Sequence, residues 1–211
     1  MQTNVFLVRH GESHSNVQGR LCSIPPGPGL TERGRLQAEA AASRLLDRGI
    51  KPALIVSSPL ARARETAAAL AVATGLPVQV EAALTEVRFG AWEGRRIEEL
   101  RPYAQFRAWN VDPERYRPPG GERLSEVGAR VCGLLLDLAS QHPGGTIVGF
   151  SHMHPLITLA LQARRQTYLD HGLLYLPNAT IVHARVEGGA LRLVGIDPLA
   201  AAADSEPAVG L

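Results

Sequence analysis

Four short runs of apolar residues punctuate the chain: Val5 to Val8, Leu54 to Ser57, Val78 to Val80 and Thr146 to Phe150. Apart from Val78 to Val80, a short strand that Gln79 interrupts, they are continuous rather than alternating, the mark of strands covered on both faces in a parallel sheet. Between them the apolar positions recur at helical spacing. Thr31 is placed to cap a helix through Leu46 that Gly49 closes, and a second helix runs from Pro59 through an alanine-rich stretch to Thr74, stopped by Gly75 and Pro77. Two more helices are expected, from Ser125 to about Gln141 and onward from Pro155. Ala179 to Val186 and Leu191 to Ile196 flank Gly188-Gly189 and read as a closing hairpin. Strands alternating with helices predict an α/β fold of three α/β/α layers, whose sheet is mostly parallel and mixed at the hairpin edge. In such sheets ligands sit beyond the carboxyl ends of the strands. Arg9-His10, Ser57-Ser58-Pro59 with Arg62, and Ser151-His152 all follow strands, so they converge on one sheet edge.

The segments between these elements say less. Ser23 to Gly29 is rich in Pro and Gly and reads as loop. Leu84 to Pro119 is irregular and holds six of the ten aromatic residues: Phe89, Trp92, Tyr103, Phe106, Trp109 and Tyr116. Residues 88–120 are therefore expected to form a cap over the site. One domain is expected over residues 1–197, with a flexible tail over 198–211.

Composition narrows the function classes. A chain of 211 residues with 45% hydrophobic and 20% charged residues is long enough for one sizeable core. A net charge of +2 is too weak to argue for a nucleic-acid partner. Two cysteines, Cys22 and Cys132, make no disulfide framework. No apolar run approaches the roughly 20 residues that span a bilayer, and the start of the chain lacks a signal-peptide pattern. The expectation is a soluble, cytoplasmic protein without a membrane partner. A homodimer is compatible with it.

The chemistry centres on Leu7-Val8-Arg9-His10-Gly11-Glu12-Ser13-His14-Ser15-Asn16. A neutral imidazole is a competent nucleophile near physiological pH. Arg9 beside it offers a guanidinium fork for phosphate oxygens, and Gly11 is expected to let the backbone approach a ligand. This segment resembles the signature of the histidine phosphatase superfamily, which includes cofactor-dependent phosphoglycerate mutases and many small phosphatases. Three further blocks are similar to the family's: Ser57 to Ala67, Leu84 to Gly94, and Phe150 to Pro155. The likeness runs from about Asn4 to Asp197.

By that resemblance His10 is the phosphorylated nucleophile, while Arg9, Asn16 and Arg62 hold the phosphoryl group. Arg64 has no such match and is expected on the solvated helix face. Glu86 falls at the proton donor's position. A departing alkoxide needs such a group, and clustered phosphate charge is expected to raise its pKa. Glu93 is read as structural. His152 matches the second active-site histidine, expected to donate, when protonated, to a phosphoryl oxygen, with the Met153 backbone N–H adding a donor. Here the chain departs from the common pattern: Met153-His154 stands where small residues are usual, which puts the shape of the pocket in question.

The resulting expectation is a phosphatase acting on a small phosphorylated metabolite, with no cofactor and no metal. Three alternatives differ from it. A phosphoglycerate mutase would use the same nucleophile and acid but a second hydroxyl as acceptor. The mutases carry a longer insert between the positions of Glu86 and His152, with paired arginines. This chain instead has Pro118-Pro119-Gly120-Gly121-Glu122, similar to small phosphatases, although Arg95-Arg96 could supply anion contacts. A zinc site would draw on His10, His14, His152 and His154, against repulsion from Arg9 and Arg62. A non-catalytic phospho-ligand binding module would be expected to lack His10 or Glu86.

Overall fold

The computed structural model describes residues 1–198, so the expected tail over residues 198–211 lies, beyond Pro198, outside the described residues. A single six-stranded sheet holds the fold together. Its strands are β1 (Thr3–Arg9), β2 (Leu54–Ser57), β3 (Val78–Val80), β4 (Thr146–Ser151), β5 (Ile181–Glu187) and β6 (Ala190–Asp197). They lie in the order β3-β2-β4-β1-β5-β6. The first four are parallel, with Val8 opposite Phe150 and Ser57 also opposite Phe150, whereas β5 runs antiparallel to β1 and β6 to β5. The mixed sheet is the one the hairpin predicted.

Side chains alternate across the central strands, so each strand contributes to two cores. Phe6, Val8, Ile55, Val148 and Phe150 meet Ala41, Ala42 and Leu45 of α2 (Glu32–Asp47) and Ala67 and Leu70 of α3 (Ala61–Thr74). Val5, Leu7, Val56 and Ile147 face the other way, onto α6 (Leu124–Gln141) and α7 (Met153–Ala163). Helices on both faces make the three layers. Thr31 caps α2 through its hydroxyl, which accepts from the Gly34 N–H at 3.0 Å, and Gly75 ends α3 in the left-handed region.

Several boundaries differ from expectation for identifiable reasons. α7 begins at Met153, not Pro155. Proline is harmless there, because first-turn N–H groups have no partner within the helix. β5 begins at Ile181 because Ala179, at φ 60°, sends its N–H to the Arg9 carbonyl at 3.1 Å. The middle segment contains α4 (Ile97–Leu100) and α5 (Ala104–Val111), and α1 (His14–Val17) follows β1. All three are too short for a periodic signal.

Candidate active site

The nucleophile loop leaves β1 and docks, backbone on backbone, against the start of α2. A Cβ on Gly11 would lie 2.2 Å from the Gly34 carbonyl oxygen, and one on Gly34 would lie 1.9 Å from that of Glu12. Gly11 is thus required by the neighbouring chain, not by a ligand as expected from sequence. Thr66 on α3 ties the same loop, its hydroxyl accepting the Gly11 N–H at 3.1 Å while donating to the Arg62 carbonyl at 2.7 Å.

His10 is buried, and its ring nitrogens have distinct partners. Nδ1 lies 2.6 Å from the Gly11 carbonyl, which can only accept, so Nδ1 carries the hydrogen. Nε2 accepts from Nε of Arg62 at 2.9 Å and therefore holds a lone pair. Burial, then the Arg62 and Arg9 charges, push the pKa of this ring well below its ordinary value. Both effects leave Nε2 unprotonated.

Arg9 and Arg62 are buried cations. Arg9 donates through Nη1 to the Leu176 carbonyl, and Arg62 donates through Nη2 to the Cys22 carbonyl at 2.8 Å. Among the described residues, Nε of Arg9 and Nη1 of Arg62 have no partner. His152 packs edge-on against His10, ring centroids 5.0 Å apart, with Nε2 2.8 Å from the Ser58 hydroxyl. Its Nδ1 is likewise buried and unpartnered. The sequence led us to expect that this ring, when protonated, donates to a phosphoryl oxygen. Burial, followed by Arg62, His10, Arg130 and Arg9, lowers its pKa well below the ordinary value, so the ring is neutral until an anion offsets those charges.

The protein groups around Glu86 act in the opposite sense to the phosphate charge considered from sequence. Burial alone would raise its pKa, but His154, the Val87 N–H and Arg62 together bring it below the ordinary carboxyl value. His154 Nδ1 lies 3.1 Å from Glu86 Oε1, and the Val87 N–H donates to the same oxygen at 2.8 Å. The loop carrying Glu86 is clamped by Arg130, which donates to the carbonyls of Ala83, Thr85 and Glu86 and pairs with Glu122 at 3.0 Å. A Cβ on Gly121 would lie 2.2 Å from the Arg88 carbonyl oxygen, so the Gly120-Gly121-Glu122 stretch braces the acid's loop.

Arg9, His10, Asn16, Arg62, Glu86, Met153 and His154 line one cavity of about 730 Å³, and His152 sits behind His10, fully buried. Asn16 spends Oδ1 on the Ser13 N–H at 3.0 Å. Arg64 is exposed, and Glu93 holds the backbone N–H groups of Ser23 and Ile24, a structural task. Phe89, Arg96, Ile97, Arg101, Phe106 and Trp109 form one side of the cavity. Arg95 is engaged elsewhere, with Glu99 at 3.1 Å and over the Tyr103 ring. His14 is exposed, and among the described residues no group of three or more His, Cys, Asp and Glu side chains is arranged to hold a metal. The four histidines therefore do not converge as the zinc alternative requires.

Sequence reasoning missed Asn178, whose Nδ2 donates to the His10 carbonyl at 2.9 Å, and Leu176, which anchors Arg9. The only local sign of this brace is the Pro177-Asn178 turn before β5. Arg130 was missed too, and so was the pairing of His154 with Glu86.

Comparison with known proteins agrees with this geometry. Residues 5–197 match the histidine phosphatase superfamily, branch 1. Phosphoserine phosphatase 1 of Hydrogenobacter thermophilus is 37% identical over 154 residues, 72% of each chain. A bifunctional protein of Mycobacterium tuberculosis is 40% identical over 166 residues, which cover 76% of this chain but only 45% of that protein. The native structure of a mycobacterial glucosyl-3-phosphoglycerate phosphatase superposes with a TM-score of 0.82 at 28% identity, over 94% of this chain and all of that one (100%). The chain belongs to the histidine phosphatase superfamily.

Proposed function

We propose that the protein is a phosphoric monoester hydrolase that removes phosphate from a small phosphorylated metabolite through a phosphohistidine on His10. The observation that carries this reading is the group of buried, unpartnered donors, Arg9 Nε, Arg62 Nη1 and His152 Nδ1, beside an imidazole whose Nε2 holds a lone pair. Buried polar atoms are costly without partners, and a phosphoryl group offers three oxygens to them. Ser58 favours this use of His152: its hydroxyl accepts the Leu60 N–H at 3.3 Å and can donate to Nε2, leaving the hydrogen on Nδ1. The relatives named for phosphoserine and for glucosyl-3-phosphoglycerate support the substrate class.

The reaction runs in two halves. Nε2 of His10 attacks phosphorus, the bond to the ester oxygen breaks, and Glu86 gives that oxygen a proton. Arg9, Arg62 and His152, with Asn16 and the Met153 N–H at the head of α7, hold the phosphoryl oxygens as charge builds. Water then attacks the phosphohistidine, the N–P bond breaks, and Glu86 takes the water's proton. The catalytic unit is residues 1–197, with 88–120 as a cap forming one wall of the cavity. The arginines supply the positive charge that a metal gives other phosphoryl-transfer enzymes, so no cofactor is needed. Water is the acceptor: of the Arg95-Arg96 pair only Arg96 lines the cavity, and Arg95 is held by Glu99. Among the described residues no helix is long and apolar enough to cross a membrane. With two free cysteines, this supports a cytoplasmic setting.

The test is a panel of phosphorylated metabolites with and without exhaustive chelation, followed by acid-labile phosphate incorporation into wild type and His10→Ala. Turnover that survives chelation, and labelling lost in the variant, is expected. Labelling retained in His10→Ala overturns the nucleophile. Interconversion of 2- and 3-phosphoglycerate that outruns hydrolysis overturns the choice of acceptor.

A further inference from the structure

The chemistry at His10 occupies only part of the cavity. A volume of about 730 Å³ lies in the range that holds drug-sized ligands, more than a phosphoryl group and two or three carbons fill. Ile97 and Met153 line it, both half-buried, and both pack on the core that contains Trp92, Phe106 and Trp109. The Trp92 ring meets those of Phe106 and Trp109 edge to face, at centroid separations of 5.3 and 5.8 Å. Backbone bonds fix this wall before any ligand arrives. The Ile97 N–H donates to the Gly19 carbonyl at 2.8 Å, the Leu21 N–H to the Arg95 carbonyl at 3.1 Å, and the Gly94 N–H to the Leu21 carbonyl at 2.8 Å.

A cation stands beside the apolar surface. The Arg101 N–H donates to the Ile97 carbonyl at 3.0 Å, so the two side chains lie one helical turn apart on one face, their Cβ atoms about 5–6 Å from each other. Both line the cavity. Arg20 and Arg33 line it too, but Arg20 donates to the Gly94 carbonyl at 2.6 Å and Arg33 pairs with Glu12 at 3.4 Å. Among the described residues no side-chain hydrogen bond or ion pair engages Arg101. Of the carboxylates lining the cavity, Glu12 is held by Thr31 and Arg33, and Glu86 belongs to the reacting centre. Glu98 remains, but it sits about 100° round the helix from Ile97, whereas Arg101 is about 40° away.

We infer that the leaving group of the substrate is an apolar chain or ring that ends in an anion: Ile97 and Met153 cover the apolar body, and the Arg101 guanidinium takes the charge one helical turn beyond Ile97. This rests on the reading of His10 as the residue that receives the phosphoryl group. A polyol leaving group would set hydroxyls against Ile97 and Met153, whose side chains return no hydrogen bond for the water lost. A two-carbon acid would leave most of that surface wet. Ile97 and Arg101 thus set which phosphomonoester is chosen, while the groups around His10 set what is done to it.

The test measures kcat/KM for ethyl, butyl and hexyl phosphate and for 6-phosphooxyhexanoate, in wild type, Ile97→Gln and Arg101→Gln. In wild type each methylene should raise kcat/KM about twofold, half the gain of complete burial, and the gain should lie in KM. Ile97→Gln should flatten that series. The terminal carboxylate should add about fivefold over hexyl phosphate at low salt and less at 0.5 M salt. Arg101→Gln should remove both the preference and its salt dependence; Arg101 is exposed, so this variant keeps the fold. A wild-type series that is level with chain length, or a carboxylate preference that survives in Arg101→Gln, overturns the proposal. Calorimetric Kd values for the matching alkylphosphonates, which cannot be hydrolysed, give the same ratios without turnover. Ratios kept there with no hydrolysis of any ester sink the phosphatase reading alone, and equal affinities along the series sink the proposal alone.

Discussion

Substituting Gly34 by alanine pits two effects against each other. Gly34 lies in the first turn of α2, and alanine in a helix is favoured over glycine by about 1 kcal/mol. Propensity alone predicts a more stable protein. The structure predicts the reverse. The new Cβ would sit 1.9 Å from the Glu12 carbonyl oxygen, against an ordinary contact distance of at least 3.4 Å, so the two backbones must part by about 1.5 Å. Neither side yields easily. The Glu12 carbonyl accepts the Thr31 N–H at 2.9 Å, and the Glu12 N–H donates to Gln37 at 2.7 Å. Overpacking against backbone costs about 3 kcal/mol, at the upper end of the usual range, leaving a net loss of about 2 kcal/mol. For a domain of this size that lowers Tm by about 4–8 °C. Glu12 is two residues from His10, and a shift of about 1 Å in a reacting group costs on the order of 10²-fold in kcat. Thermal melts and kcat measurements, with Gly133→Ala as control, decide the matter. Gly133 is in α6 with nothing within 4 Å of its added Cβ, so that variant should gain about 1 kcal/mol and keep full activity. Gly34→Ala with unchanged Tm and kcat would refute the steric reasoning.

Inorganic phosphate should stabilise the protein by about 2.7 kcal/mol at a hundred times its Kd, and Arg62→Met should abolish the effect; a melt that phosphate does not move in wild type contradicts the anion site. The lowered pKa values of His10 and His152 make stability fall on acidification. Both rings stay neutral in the fold where the unfolded chain would protonate them. Their contribution is therefore complete above about pH 6.5 and is lost as pH falls through the lowered folded values, by up to about 1.4 kcal/mol per pH unit for each ring. A flat Tm between pH 7 and 5 in anion-free buffer would show that the rings are not held neutral. Arg130→Met should cost about 3 kcal/mol in urea unfolding, because it leaves buried Glu122 with only the Arg88 N–H and the exposed Arg88 guanidinium, and adding Glu122→Gln should recover part of it; a loss under about 1 kcal/mol would mean that the clamp is not structural.

How far the sequence could be read depended on the range of the interaction. β1, β2 and β4 announced themselves because a strand covered on both faces must be apolar throughout. The catalytic candidates were legible because each follows a strand, where the topology forces convergence. α1, α4 and α5 were not, since four to eight residues give no periodic signal. Asn178 and Arg130 donate to backbone carbonyls far along the chain, Leu176 offers its own carbonyl to Arg9, and nothing in their neighbours reveals that. The titration of the protein groups by themselves was not legible for the same reason. Glu86 owes its ionisation largely to His154, 68 positions away, and His152 owes its neutrality to burial and to arginines from other elements.

The brace from Leu176 to Thr180 has a consequence for how the enzyme comes into being. The nucleophile loop is synthesised long before its brace, because the Arg9 guanidinium and the backbone of His10 are secured by residues 167 and 168 positions later. Such long-range closure is slow relative to local helix formation. During synthesis the early strands can pair and the helices can form while the reactive imidazole is still unaligned. Arg9 and His10 therefore reach the arrangement described above only once the segment over residues 176–180 has settled against the end of β1.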